Sequence, residues 1–297
     1  MTDPTYYDRP LLQESVWTWA IPAYYFVGGL TGSALVLAAA AQLQNPDRQG
    51  GESPRERLVR RCRWIGVIGA GVSAVLLIYD LGRPARFLNM LRVFRPTSPM
   101  NMGAWILAGT GATSAGALLL GTRSGLLGRL GEAYGYIAGI FGAGLATYTG
   151  VLVANTAVPV WQESRRMLPV LFGASAMSSL GSVFEMCVED AEERGIAKTF
   201  GTLGIAAELA AGIVMEKQAS SVARVGRPFR RGFSGLLWRS AQILTAASLL
   251  VRNRSAAGAL GIAGSLLLRF AVERAGTASA RDPRASFHLE RDRATRR

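Results

Sequence analysis

Residues 134–154 read YGYIAGIFGAGLATYTGVLVA, a stretch without one charged side chain. A bilayer's hydrocarbon core is crossed by about 20 apolar residues in helical form, so this run is long enough to span it. The same test applied in both directions finds candidates at about 19–43, 64–81 and 102–120 before it, and at 168–187, 196–215, 234–251 and 256–270 after it. The last two are shorter and carry Arg239 and Arg269 near their ends, from which long side chains snorkel to the interface. Their link, Arg252-Asn253-Arg254-Ser255, is too short to cross anything and makes them an antiparallel hairpin. The expected fold is therefore all-α and integral to a membrane, with about eight transmembrane helices.

Composition agrees. The 297 residues are 49% hydrophobic, include 35 Gly and are only 18% charged, where soluble proteins have about 25%. Mean hydropathy is +0.22 because Gly and Ala score weakly and the links are rich in Arg. The net charge of +13 and pI near 10.7 would fit a nucleic-acid binder, but the arginines flank apolar spans, where lipid headgroups and membrane orientation account for them. No nucleic-acid partner is expected. Arg83, Arg86, Arg92, Arg95 and the basic link 224–231 fall on the side of the termini. The opposite side mixes basic residues with Glu189, Asp190, Glu192 and Glu193. The positive-inside rule thus favours cytoplasmic termini. The first span is too long for a typical signal peptide and is expected to be a retained helix.

The redox-metal inventory is short. Cys62 and Cys187 are far apart, and the one histidine, His288, lies in the polar tail. An iron–sulfur cluster or a structural zinc takes about four ligands, and a bis-histidine haem needs His pairs inside the bundle. The protein is expected to hold no haem, no iron–sulfur cluster and no other redox metal of its own. Small residues recur four apart at Gly28 and Gly32, Gly135 and Gly139, and Ala207 and Ala211, a spacing that lets helix backbones pack closely in lipid.

A few polar residues stand out against this background. Tyr79-Asp80-Leu81-Gly82-Arg83-Pro84-Ala85-Arg86 ends the second span, with Gly82 and Pro84 as stop signals. Asp80 then sits at the membrane edge within reach of Arg83 and Arg86. It is either a local ion pair with the arginines gripping lipid phosphate, or a carboxylate able to relay protons. Ser98 or Asn101 is the expected N-cap of the third span. Tyr148 lies inside the fourth, where a phenol needs a hydrogen-bond partner, either a helix carbonyl or a ligand oxygen. Trp17 to Phe26 forms an aromatic belt interrupted by Pro22, which frees a carbonyl. Glu208, mid-span, is expected to be protonated or paired with Gln242 or Arg239, and serves a structural hydrogen bond or a proton path. Glu185 is expected nearer the interface.

Four stretches taken together resemble the NrfD-like family of membrane subunits, which includes the membrane anchor of polysulfide reductase. They are the Trp-rich start with Phe26-Val27-Gly28-Gly29, the Asp80-Leu81-Gly82-Arg83-Pro84 turn, Ser98-Pro99-Met100-Asn101-Met102-Gly103 leading to Trp105, and Tyr148-Thr149-Gly150-Val151-Leu152 followed by Pro159 and Trp161. The resemblance implies two four-helix bundles, here 19–155 and 156–275, after an interfacial segment 1–18 and before a disordered tail 276–297. It implies a menaquinone or ubiquinone site in the first bundle, no haem, and residence in a bacterial or archaeal cytoplasmic membrane. It also implies a ferredoxin-like iron–sulfur partner and a catalytic subunit, often of the molybdopterin type. Tyr148 becomes the candidate donor to a quinone oxygen, with Asp80 beside it. Tyr24, Trp19, Arg83, Arg86, Ser98 and Met100 complete the candidate contacts, and Asp80, Glu208 and Glu185 the candidate proton path. Some members place a histidine near the quinone in the first span. This protein has none there, so Tyr24 stands as donor and proton transfer falls to carboxylates or water. Two other readings remain: a secondary transporter, supported by Glu208 but opposed by the lack of a second copy of the Asp80 motif, and a structural anchor without a quinone site.

Overall fold

Capping signals divide the chain into helices, and the apolar runs lie inside the longest of them. The computed structural model describes residues 12, 17–44, 53–222, 224–283 and 285, and among these there is no strand. The helices are α1 (Ala20–Leu43), α2 (Pro54–Leu81), α3 (Pro84–Arg92), α4 (Pro99–Leu120), α5 (Gly125–Ala154), α6 (Pro159–Glu163), α7 (Leu168–Cys187), α8 (Ala191–Ala219), α9 (Arg227–Arg230), α10 (Gly232–Ser248) and α11 (Arg254–Ala280). Seven of them, α1, α2, α4, α5, α7, α8 and α11, are long and apolar enough to cross a membrane. The eighth expected span is α10, which at 17 residues covers roughly 25 Å and pairs with α11 in the expected hairpin.

Ser53 opens α2 with a reciprocal cap, its hydroxyl accepting from the Glu56 N–H at 3.2 Å while the Glu56 carboxylate accepts from the Ser53 N–H at 3.2 Å. Gly82, at φ +70°, ends α2 and lets the chain reverse into α3, a short amphipathic helix within what reads in sequence as a polar link. Ser98 is the N-cap of α4. The Asn101 side chain ties down the loop before it, donating to the carbonyls of Met90 (2.6 Å) and Val93 (2.9 Å) and accepting from the Arg95 N–H (2.7 Å).

Helix α1 is the hub, packed against α2, α5, α7 and α11. Its contact with α5 is backbone on backbone: a Cβ on Gly32 would overlap the Gly142 carbonyl and lie 2.8 Å from the Ala146 nitrogen. The α7–α8 contact is built the same way at Gly181 and Gly201. The expected Ala207–Ala211 pair is split, Ala211 being buried and Ala207 exposed. Ser33 of α1 donates to the Ala176 carbonyl of α7 at 2.8 Å. At the far ends, Arg57 of α2 holds both Asp190 (2.5 Å) and Glu193 (2.8 Å), and Arg61 adds a 2.9 Å contact to Glu193.

One expectation changes here. The polar tail placed at 276 starts later, because α11 continues to Ala280 with Gly276 pressed on the Trp161 ring. Trp161 also donates to the Val272 carbonyl at 2.9 Å, anchoring this last turn. Most of segment 1–18, and the tail from 286 on with His288, lie outside the described residues.

Gly32→Val is expected to lower the unfolding midpoint of the detergent-solubilised protein by an amount equivalent to about 1–3 kcal/mol, because the α1–α5 crossing has no room for the branch. Acid sensitivity provides a second check. The Asp190 carboxyl is held below the usual carboxylate range, first by the Glu193 backbone N–H and then by Arg57. A folded pKa below the unfolded one gives stability that is present at neutral pH and lost as pH falls below about 4. Asp190→Asn should lower the melting temperature at pH 7 and leave a shallower decline between about pH 5 and 3.

Candidate functional site

Four helix ends meet where α1 begins, α2 stops at Gly82, α4 begins and α5 approaches its C-terminus. Between them lies a narrow cleft of about 40 Å³, closed to a ring-sized ligand until its rim side chains swing aside. Trp17, Tyr24, Tyr25, Asp80, Met100 and Tyr148 line it, with Gly103 leaving room for the Tyr148 ring. Its walls are aromatic and mutually packed. Trp17 meets Tyr25 edge-on at 6.3 Å between centroids and stacks on Trp161 at 5.6 Å, while Tyr24 and Tyr25 lie 5.9 Å apart.

The polar atoms in the cleft differ in how far the protein satisfies them. Asp80 Oδ1 accepts from the Thr18 hydroxyl at 2.6 Å and the Thr18 N–H at 3.0 Å. The expected ion pair with Arg83 or Arg86 does not form. Gly82 turns the backbone outward, leaving Arg83 exposed ahead of α3 and Arg86 donating to the Leu81 carbonyl at 3.1 Å. The Tyr148 hydroxyl, the candidate donor to a quinone oxygen, donates here to the Pro99 carbonyl, the other of the two partners considered for it. The Tyr25 hydroxyl, on a side chain 1% exposed, has no hydrogen-bond partner. A buried hydroxyl left unpaired costs roughly 1–3 kcal/mol, so this one is poised for a ligand oxygen or a water.

The structure therefore brings together four of the expected contacts, Asp80, Tyr24, Tyr148 and Met100, with Met100 half-exposed at the rim. Arg86 and Ser98 line a separate shallow groove that shares Met100. Trp19 is 60% exposed and packs on Tyr79 outside the cleft. Tyr25 and Trp17 are not singled out by the sequence. The only signal for Tyr25 is its place beside Tyr24, and on a helix surrounded by others, both faces are interior.

The carboxylates of the candidate proton path lie elsewhere. Glu208 Oε1 accepts from Thr245 at 3.1 Å, and the nearby cation is Arg269 of α11, not Arg239, which donates to the Arg230 carbonyl. Gln242 lies instead against Gly212, one turn further along α8. Glu185 pairs with Lys198 at 3.8 Å near the end of α7. Among the described residues no group of three or more His, Cys, Asp and Glu converges as a metal site would require.

Every residue of the cleft falls within residues 10–188, the region that matches the family described as polysulphide reductase, NrfD. The chain belongs to the NrfD family. The C subunit of polysulfide reductase from Wolinella succinogenes is 29% identical over 92 residues, 31% of this chain and 28% of that protein. The matched stretch thus spans well under two thirds of that relative's length. The protein is a multi-pass membrane member of the NrfD family, and α8 to α11 lie beyond the matched region.

The two buried phenols of the cleft should respond differently to loss of the hydroxyl. Tyr148→Phe breaks a bond to a carbonyl and is expected to cost about 1 kcal/mol of stability, whereas Tyr25→Phe removes an unpaired group and should be neutral or stabilising. Thermal unfolding of the two variants, side by side in detergent, makes the comparison.

Proposed function

We propose that this protein is the quinone-reactive membrane subunit of a respiratory oxidoreductase complex in a bacterial or archaeal cytoplasmic membrane. The observation that carries the reading is the cleft: flat aromatic walls, one carboxylate and one unpartnered phenol in a single lipid-depth space. That donor set suits menaquinone or ubiquinone, whose ring is planar and carries two oxygens. When bound, the quinone supplies two-electron, two-proton redox chemistry, and the protein supplies binding, orientation and proton handling.

Trp17, Tyr24 and Tyr25 wall the ring face and keep water from it. The Tyr25 hydroxyl donates to a ring oxygen. Asp80, with Oδ1 fixed by Thr18, offers its other oxygen to take a proton from the ring hydroxyl or return it, according to the direction of electron flow. Tyr148 holds α5 to the start of α4 and so keeps the pocket's far wall in place. Electrons pass to or from a ferredoxin-like iron–sulfur subunit, behind which stands a catalytic subunit of the molybdopterin type. The reductase named for the Wolinella relative supports a multi-subunit setting. The basic segment from Arg83 to Arg95, exposed next to the cleft, is a docking face for an acidic cluster-bearing partner.

The test is quinol-analogue oxidation and quinone-analogue reduction by the assembled complex. Asp80→Asn should reduce quinone-linked turnover by about 10²-fold while the complex still assembles. Tyr25→Phe should weaken quinone-analogue binding about tenfold, the worth of one hydrogen bond. Unchanged turnover and binding in both variants would leave a structural anchor instead.

A further inference from the structure

The second half of the protein holds a set of polar atoms that the cleft does not use. Beside the Glu208–Thr245 bond, the carboxylate's Oε2 has no partner. The hydroxyls of Ser175 and Ser178 face the same carboxylate from α7, yet neither reaches hydrogen-bonding geometry. On α11, Arg269 is 1% exposed and donates through Nη2 to the Phe172 carbonyl at 2.8 Å, leaving Nε and Nη1 unpaired. Five unsatisfied side-chain groups on three helices, gathered around one mid-membrane acid, are far more than a folded interior tolerates dry. Gaps of this kind between convergent donors and acceptors are where ordered water resides.

Ser178 also belongs to a second cavity. About 290 Å³ of open space lies between the C-terminal half of α7, the N-terminal half of α8 and the α10–α11 turn, lined among others by Ser178, Ser182, Glu185, Lys198, Thr202 and Arg252. Helix direction sets the side on which this cavity opens. The cleft lies where α1 and α4 begin, whereas Glu185, Lys198 and Arg252 stand at the end of α7, the beginning of α8 and the α10–α11 turn, across the bundle. Between Glu208 and the cleft, the way is closed by packed rings. The Arg269 guanidinium sits 4.0 Å over the Phe172 ring, and Phe172 packs on Tyr25 at 5.8 Å.

We infer that this cavity is a hydrated half-channel that carries protons from the membrane face opposite the cleft, past Ser182 and Ser178, to Glu208. In the loading step a hydronium in the channel gives its proton to Oε2, forming the carboxylic acid and leaving water. Arg269, on the far side of the acid, is a positive barrier that holds the proton on Glu208 against leakage until electron transfer at the cleft draws it off Oε2 to that side, which leaves the carboxylate to be loaded again. Coupling this site to electron transfer rests on the proposed quinone reaction; its hydration does not.

Hydration is tested first, in native membranes, with Cys62 and Cys187 replaced by Ser. Ser178→Cys and, independently, Thr202→Cys should react with a membrane-impermeant thiosulfonate added from the side opposite the cleft. Ile213→Cys, on an exposed apolar face of α8, should not react. The complete complex is then reconstituted into liposomes, and Glu208→Gln should lower the protons moved per electron about tenfold, the scale expected for loss of a proton-transfer group. The inference is overturned if both channel cysteines stay unlabelled from that side, or if the proton-to-electron ratio is the same with and without the carboxylate. A wild-type complex that exchanges no electrons with quinone analogues would sink the reading of the cleft, and the labelling result would still decide the half-channel.

Discussion

Lipid offers no hydrogen bond to a stray backbone amide and no advantage to burying one apolar side chain against another. A polypeptide in that solvent associates by bringing backbones close, and this protein does so through glycine. Gly32 of α1 meets Gly142 of α5, and Gly181 of α7 meets Gly201 of α8, with so little space that no Cβ fits between them. These crossings draw α1 into the centre, where it touches four other transmembrane helices. Everything functional follows from where that close packing stops. At the start of α1, large aromatic residues replace glycine, and the helices separate enough to leave the cleft. Along α7 and α8, serine and threonine lie beside the glycines, and a polar cavity opens instead.

The buried polar groups divide into two populations. Trp161, Asn101 and Ser33 reach specific carbonyls and fix how neighbouring elements meet. Tyr25, Ser178, Glu208 Oε2 and two nitrogens of Arg269 reach nothing. The first population accounts for architecture. The second has a cost that architecture does not offset, and while single unpaired atoms such as Ser73 Oγ and Thr149 Oγ1 occur elsewhere, these ones stand beside the two cavities. Their position beside a cavity is the physical basis for reading one place as a ligand pocket and the other as a water path.

Apolar runs locate the bilayer well but not the helices' full length. The span read at 64–81 belongs to a helix that begins at Pro54, because the Ser53–Glu56 cap extends it beyond the lipid into polar sequence. Likewise α8 and α11 outrun their greasy segments, and α11 continues past Gly276 because Trp161 packs its last turn. Helix α3 hides in a link because nine amphipathic residues make no hydropathy signal. At the site, Asp80, Tyr24 and Tyr148 are visible as polar groups in apolar surroundings, and the fold brings them together. Arg83 and Arg86 are near Asp80 in sequence only, since the left-handed turn at Gly82 carries them away and Thr18 takes their place. The partners of Glu208 depend on the register of the α10–α11 hairpin against α7 and α8. No local pattern encodes this, which is why Thr245 and Arg269 occupy positions that sequence reasoning assigned to Gln242 and Arg239.

The buried acid and guanidinium in the second half invite a stability explanation, and magnitudes argue against it. Two charges taken into a low-dielectric interior each lose several kcal/mol of solvation, and an ion pair recovers that only with good geometry and every remaining donor satisfied. Here three groups of the pair stay unpaired, and apolar residues of similar volume would pack the same space at least as well. Arg269 nevertheless bridges several helices. Its Nη2 bonds the α7 backbone, its plane covers Phe172, and it lies against α1 at Gly29, one turn from Tyr25. A charge so placed feels both the acid on one side and the aromatic wall of the cleft on the other. In a medium that screens poorly, a change of charge at either site alters the energy of the other through this residue. The same arrangement that makes the pair a poor staple sets a charge between the two cavities, the feature on which the proposed coupling of proton and electron movement rests.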